Sequence, residues 1–283
     1  MDSAPLIAVT GATGNVGRAV ADLLTRDGAR IRLVVRDPAR APTDAGDVVQ
    51  ASYGDLDAST AALSGADTLF MVSAAESAER LAQHRTFVDA AAAAGVRHVV
   101  YTSFLGAAPD ATFTLARDHW ATERHLRASG MAWTFLRDSF YLDFLPALAD
   151  EDGVIRGPAD DGRVGAVARA DVARSAAAVC SNVDAHAGRT YDLTGPEAMT
   201  LREAAQTITE VTGRATTYEE ETVEQAYASR RRYDAPDWQL DAWVSTYTAI
   251  AAGELAQVTD TVEQLTGVAP LSLVDLLRRS PGR

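Results

Sequence analysis

Three glycines in VTGATGNVGRAV, residues 9–20, are spaced G-x-x-G-x-x-G at Gly11, Gly14 and Gly17. The first permits a tight turn, the second lets the backbone approach a bulky anion, and the third lets a helix pack close to a strand. A helix amino terminus offers free N–H groups and a partial positive charge, so a pyrophosphate is the natural ligand. Thr13 and Asn15 can add side-chain hydrogen bonds, and Val16 belongs to the same turn. A second cluster, VVRDPAR, puts Arg36 at a strand end with Arg40 close behind. A guanidinium pairs bidentately with a phosphate, which favours NADP(H). Asp37 beside it suits the ribose of NAD, so NADH is the second choice.

These residues need elements to hold them. LIAVT (6–10) reads as a buried strand and 15–27 as a helix with Ala19, Val20, Leu23 and Leu24 on one face. Further strands are expected at 31–36, 48–52, 67–73, 98–104 and 132–140, with helices at 55–64, 76–94 and 114–129 between them. Strict alternation with unbroken apolar strands predicts a doubly wound parallel sheet, an α/β Rossmann fold. After about residue 141 the pattern loosens. A strand is expected at 189–195, then a helix capped by Thr200 with Glu203 three residues on, a capping box. The expected organisation is a dinucleotide-binding domain over 1–150 and a small mixed α/β lobe over 151–283, packed on the sheet and not independent of it.

In such a sheet ligands lie at the carboxyl ends of the strands. Tyr53, Gly54 and Asp55 follow the third strand and are expected to flank the adenine, although Asp55 is equally suited to cap a helix. Val72, Ser73 and Ala74 end the fourth strand. Tyr101, Thr102 and Ser103 end the fifth, where the nicotinamide is expected.

Composition excludes several classes. The chain has 283 residues, 47% of them apolar, which supports a full core. Its net charge of −13, with no basic run longer than Arg230-Arg231-Arg232, argues against nucleic acid. No segment approaches the ~20 apolar residues of a membrane span. The single Cys180 rules out an intrachain disulfide and a cysteine-rich zinc site. The opening MDSAPLIAVT carries no basic segment, so a cytoplasmic protein without signal peptide is expected. All 26 basic residues are arginine. A GC-rich genome accounts for that bias, and its consequence is that no lysine chemistry is available. No H-E-x-x-H, G-x-S-x-G or P-loop pattern occurs.

VTGATGNVG, VVRDPAR, YGD, AQHRTFVDAAAAAGVRHVVYTS, LARDHWATERHLRASGMAWTFLRDSFYLDF and ARADVA together resemble the NmrA-like atypical short-chain dehydrogenases/reductases. Within them the chain is most similar to the group of NAD(P)H:quinone oxidoreductase type 2 and triphenylmethane reductase. The resemblance is densest over 6–175 and thin after 215. It implies NADPH and direct hydride delivery to a quinone-like or other conjugated or polycyclic acceptor. Two departures stand out. Arg137-Asp138 replaces the usual Arg-Asn after the sixth strand, and Arg124 stands where relatives often carry lysine. A carboxylate only accepts hydrogen bonds, so a changed substrate contact is expected. Arg137 is expected at the cofactor.

The Tyr-x-x-x-Lys dyad of the main short-chain branch cannot exist here, and Tyr227 to Arg231, the one Tyr-x-x-x-Arg, reads as a helix-face pair. Hydride positioning then carries most of the catalysis. His119 is the first proton-donor candidate, followed by Tyr101 and Ser103, although each also suits a structural role. Asp138, Phe140, Tyr141 and Phe144 are expected to meet the substrate, the rings by stacking. Two alternatives stay open: a non-catalytic NADP-binding redox sensor for a protein partner, and a tailoring reductase in natural-product assembly. The expected partner is a small conjugated molecule, with no nucleic acid and no membrane, and homodimerisation is left open.

Overall fold

The computed structural model describes residues 4–42 and 46–279. Its first half alternates strand and helix: β1 (Leu6–Thr10), α1 (Asn15–Arg26), β2 (Arg30–Val35), β3 (Asp47–Gln50), α2 (Leu56–Leu63), β4 (Thr68–Met71), α3 (Arg80–Ala93), β5 (His98–Phe104), α4 (Thr114–Ala128) and β6 (Ala132–Asp138). Then follow β7 (Val154–Gly157), β8 (Arg163–Val164), α5 (Arg169–Ser181), β9 (Arg189–Leu193), β10 (Met199–Thr200) and α6 (Leu201–Thr212). The last elements are β11 (Thr217–Glu220), α7 (Val223–Arg230), α8 (Asp237–Ala251), α9 (Thr261–Thr266) and α10 (Leu273–Arg279).

Seven strands form one sheet in the order β3-β2-β1-β4-β5-β6-β9. Ile7 pairs with Ile31 on one side and Thr68 on the other, and the strands from β3 through β5 run parallel. Every residue of β1 and β4 is buried, as unbroken apolar strands covered on both faces must be. The strand order reverses between β1 and β4, and such a reversal opens the crevice where doubly wound sheets bind ligands.

Contacts divide the chain into two interleaved units. The first comprises Met1–Ser103, Asp118–Arg137 and Val172–Tyr191, the second Phe104–Arg117, Asp138–Asp171 and Asp192–Arg283. The core of the first includes Leu69, Met71, Phe87, Tyr101, Leu126 and Phe135. That of the second includes Leu142, Ile155, Val164, Leu201, Ile208 and Ile250. Each such side chain stabilises by about 1.5–3 kcal/mol on burial. The capping box at Thr200 and Glu203 forms as expected.

Most boundaries shift by one or two residues, and two of the shifts bear on the site. The helix expected over 76–94 starts at Arg80, whose guanidinium reaches back to the Ala74 carbonyl. The strand expected over 132–140 ends at Asp138. Beyond it, Ser139 N–H bonds the Leu193 carbonyl and Leu142 N–H bonds Val167.

Candidate functional site

The glycine turn lies at the strand-order reversal. Gly11 has φ +66°, and a Cβ on it would press on the Val72 side chain at 3.0 Å. Gly17 is buried, and a Cβ there would lie 2.5 Å from the backbone of Thr10 and Gly11. Both glycines are therefore demanded by the fold. Gly14 is different. Its φ of −106° suits any residue, it is exposed, and its nearest prospective contact is 3.4 Å away. It caps α1 without a side-chain hydrogen bond, so the first-turn amides stay open to a ligand. Thr13 and Asn15 are exposed beside it, whereas the Val16 side chain is buried and offers only its amide. The turn fits a dinucleotide pyrophosphate.

At the end of β2, Arg36 is exposed and no side-chain hydrogen bond or ion pair of its guanidinium is found among the described residues. Asp37 is occupied, since its carboxylate accepts from Ala39 N–H at 3.0 Å and caps the short turn Pro38–Arg40. A cation with no side-chain partner among the described residues, beside an anion that caps a turn, suits a 2′-phosphate better than a ribose diol. Gly54 is exposed, with the Gln83 side chain 3.8 Å from where a Cβ would lie, and Asp55 caps α2 by accepting from Ala58 N–H.

The segment after β4 is held by buried side chains from β1, β5 and α3 and by the half-buried Tyr53 of the loop after β3. Val72 N–H donates to Thr10 Oγ1 at 2.9 Å, and Val72 O accepts from Tyr53 Oη at 2.6 Å. Ser73 N–H donates to Thr102 Oγ1 at 2.8 Å. Ala74 N–H donates to His84 Nε2 at 2.8 Å, and its carbonyl accepts from Arg80 Nε at 3.0 Å. Tyr53 and Thr102, expected at the cofactor, thus fix the backbone of Val72 and Ser73. Tyr53 also stacks on Phe87 with centroids 4.0 Å apart.

The three expected catalytic groups are enclosed. Tyr101 Oη lies 2.9 Å from His119 Nδ1, and His119 Nε2 accepts from Arg80 Nη2 at 2.9 Å. An arginine only donates, so His119 carries its proton on Nδ1. Burial, then the Arg80 charge, hold its pKa well below the ordinary histidine range. Burial pushes the Tyr101 phenol up. By the same logic His84 donates from Nδ1 to Thr122 Oγ1, and burial with Arg80 lowers its pKa to about 3. Ser103 Oγ donates to Glu123 Oε1 at 2.7 Å. Arg137 grips both oxygens of that buried carboxylate, at 2.8 and 2.7 Å, which ties β6 to α4.

Beyond β6 a second group assembles. Asp138 is buried, and its Oδ2 accepts from Tyr141 Oη at 2.8 Å. Phe144 is 41% exposed, with Phe140 and Tyr141 each 5.8 Å from it between centroids. The Arg169 guanidinium sits 4.2 Å over Phe144 and 5.3 Å over Tyr141. Asp143 accepts from the Arg169 amide. The four expected substrate residues are thus neighbours, joined by an arginine the sequence reading did not include. A groove of about 350 Å³ lined by Arg85, Trp120, Ala121, Arg124, His125 and Ala128 shares no residue with either group.

Arg80, His84, Thr10 and Glu123 also went unnoticed in the sequence. For the first two a signal existed. Arg80, His84, Phe87, Val88 and Ala91 fall on one helical face, so polar groups at 80 and 84 had to be buried with the apolar ones. Among the described residues no helix is long and apolar enough to cross a membrane, and no cluster of three metal-type side chains occurs.

The fold and the glycine turn define a Rossmann protein that binds a nicotinamide dinucleotide, an NAD(P)H-dependent oxidoreductase. A family model described as NAD(P)H-binding matches residues 11–182, and the chain belongs to that family. Quinone oxidoreductase 2 of Escherichia coli is 36% identical over 95% of this chain and 96% of its own. Its crystal structure with NADPH superposes with a TM-score of 0.88, covering 96% and 99% of the two chains. A (4-alkanoyl-5-oxo-2,5-dihydrofuran-3-yl)methyl phosphate reductase of Streptomyces griseus is 37% identical over 93% of each chain. The NADP(H) complex of Citrobacter sp. triphenylmethane reductase gives a TM-score of 0.86 at 30% identity, covering 96% and 99%.

Proposed function

We propose that the protein uses NADPH to reduce flat, conjugated electrophiles of the quinone type. One observation carries this. Tyr101, Ser103 and His119 are all committed to buried partners, so they are not available as an acid/base group of the usual short-chain kind. The chemistry then falls to acceptors reactive enough that orientation supplies most of the rate. NADPH supplies the hydride when bound. Gly14 and the first turn of α1 hold its diphosphate, Arg36 its 2′-phosphate, and the clamped segment 72–74 keeps a firm wall at the strand ends. Phe140, Tyr141 and Phe144 offer rings for a flat acceptor.

The substrates in the relatives' names support this reading: a quinone, a triphenylmethane dye and a conjugated lactone. The lactone also supports a narrower version, a reductase in natural-product assembly. A cytoplasmic location completes the proposal, to be checked by cell fractionation. The direct test is purified protein with NADPH or NADH and a panel of quinones, enones and dyes. Loss of reduced-nicotinamide absorbance with NADPH preferred is expected. No oxidation with any acceptor refutes it.

A further inference from the structure

Reduction of a conjugated carbonyl consumes a proton as well as a hydride, and the enclosed Tyr101, His119 and Ser103 do not provide one. Asp138 and Tyr141 are placed differently. Asp138 closes β6 and is 2% exposed. Its Oδ2 is bonded to Tyr141 Oη, while its Oδ1 is buried with no hydrogen-bond partner among the described residues. Backbone hydrogen bonds join this stretch to neighbouring segments: Leu105 N–H bonds the Asp138 carbonyl, and the next residue, Ser139, bonds Leu193. Arg169 and Asp143 are the other charged groups at the pair. Arg169 lies over the Tyr141 ring, and Asp143 is bonded to the Arg169 amide.

A carboxylate with one bare buried oxygen is costly, whereas a neutral carboxyl is not. Burial pushes Asp138 up to about 8, against the opposing effect of the Tyr141 bond. Once Asp138 is protonated on Oδ2, the bond to Tyr141 reverses. The carboxyl O–H donates to Oη, and the phenol proton is released for another acceptor. Tyr141 is half-buried and sits beside Phe140 and the partly exposed Phe144.

The geometry points to a proton relay from Asp138 through Tyr141 to the oxyanion of a reduced conjugated carbonyl, an inference that rests on the quinone-type function proposed above. After taking up two electrons with the hydride, a quinone is a hydroquinone monoanion. The Tyr141 Oη–H bond breaks as the hydroquinone O–H forms. The Asp138 Oδ2–H bond breaks as Oη is reprotonated. Asp138 is left as a carboxylate and regains its proton from water. The net consumption is one hydride and one solvent proton per hydroquinone. Tyr141 is the catalytic residue and Asp138 its proton source.

Two acceptors separate hydride from proton. A cationic triphenylmethane dye becomes neutral on taking hydride and needs no proton, whereas a quinone does. Tyr141→Phe and Asp138→Asn are each expected to lower the ratio of quinone to dye turnover by about 10²-fold at saturating NADPH. Wild-type quinone turnover should fall as pH rises through about 8, a fall missing with the dye and missing in Asp138→Asn. Fluorescence titration with NADPH shows that the variants are folded. An unchanged ratio overturns the relay and leaves the reduction standing. Equal losses toward both acceptors reduce the pair to packing and also overturn it. A wild-type protein that reduces neither acceptor overturns relay and function together.

Discussion

Gly14→Ala and Gly17→Ala divide the two tasks of the glycine turn. A Cβ at Gly17 would lie 2.5 Å from Thr10 O, Gly11 C and Gly11 O. Ordinary carbon contacts begin at about 3.5 Å, so the overlap is about 1 Å against three backbone atoms. No side chain can swing aside, and α1 must back away from β1. Overpacking of this kind costs about 1–3 kcal/mol, a fall in Tm of roughly 2–10 °C. A Cβ at Gly14 meets nothing closer than 3.4 Å, at a backbone conformation that alanine adopts freely. The small loss in capping is offset by lower entropy of the unfolded chain, so stability should stay within about 0.5 kcal/mol. In the proposed cofactor placement the added methyl instead lies where the diphosphate would approach the first turn of α1. Losing one amide–phosphate hydrogen bond there costs about 1.5–3 kcal/mol, or roughly 10–100-fold in Kd. Thermal melts without nucleotide and calorimetric titration with NADPH read the two effects separately. The reasoning fails if Gly14→Ala binds NADPH like wild type, or if both variants lose affinity in proportion to stability.

Arg36→Ala should raise KM for NADPH roughly 10–100-fold and leave KM for NADH in place, since only one cofactor carries the 2′-phosphate; equal changes in steady-state kinetics would remove Arg36 from the phosphate. His84 stays neutral in the fold because its pKa is lowered to about 3, whereas the unfolded chain takes up a proton near pH 6.5. Its contribution is therefore complete above about pH 6.5 and is lost as pH falls toward 3, at up to ~1.4 kcal/mol per pH unit. Urea titrations between pH 4.5 and 6.5 should show a shallower slope in His84→Gln, and an unchanged slope refutes the neutral buried ring. Glu123→Gln leaves Arg137 half-buried without its carboxylate and should cost about 3–5 kcal/mol by urea unfolding, while a cost below 1 kcal/mol would show the pair to be solvated.

The order of elements through β6 follows from the chain alone, because unbroken apolar strands alternating with one-faced helices have few other solutions. LIAVT, TLFM and HVVYTS are buried as their composition requires. The glycine turn is likewise readable, since three glycines between a strand and a helix encode backbone geometry within nine residues. The roles of hydroxyls, imidazoles and carboxylates at the strand ends are not readable in that way. Tyr53, Tyr101, Thr102, Ser103 and Arg137 stand where the sheet rule expects ligand contacts, yet each is turned inward by a partner distant in sequence. Those partners are Val72, His119, Ser73 and Glu123. Periodicity records which residues are buried, and only tertiary packing decides which polar group each one meets. Asp138 shows the same division. The sequence marks it as a carboxylate following Arg137, while its enclosure, its bare Oδ1 and its bond to Tyr141 arise from segments that meet only in the folded chain. A local pattern carries backbone conformation because that energy is local, whereas the protonation state of a buried acid depends on everything packed around it.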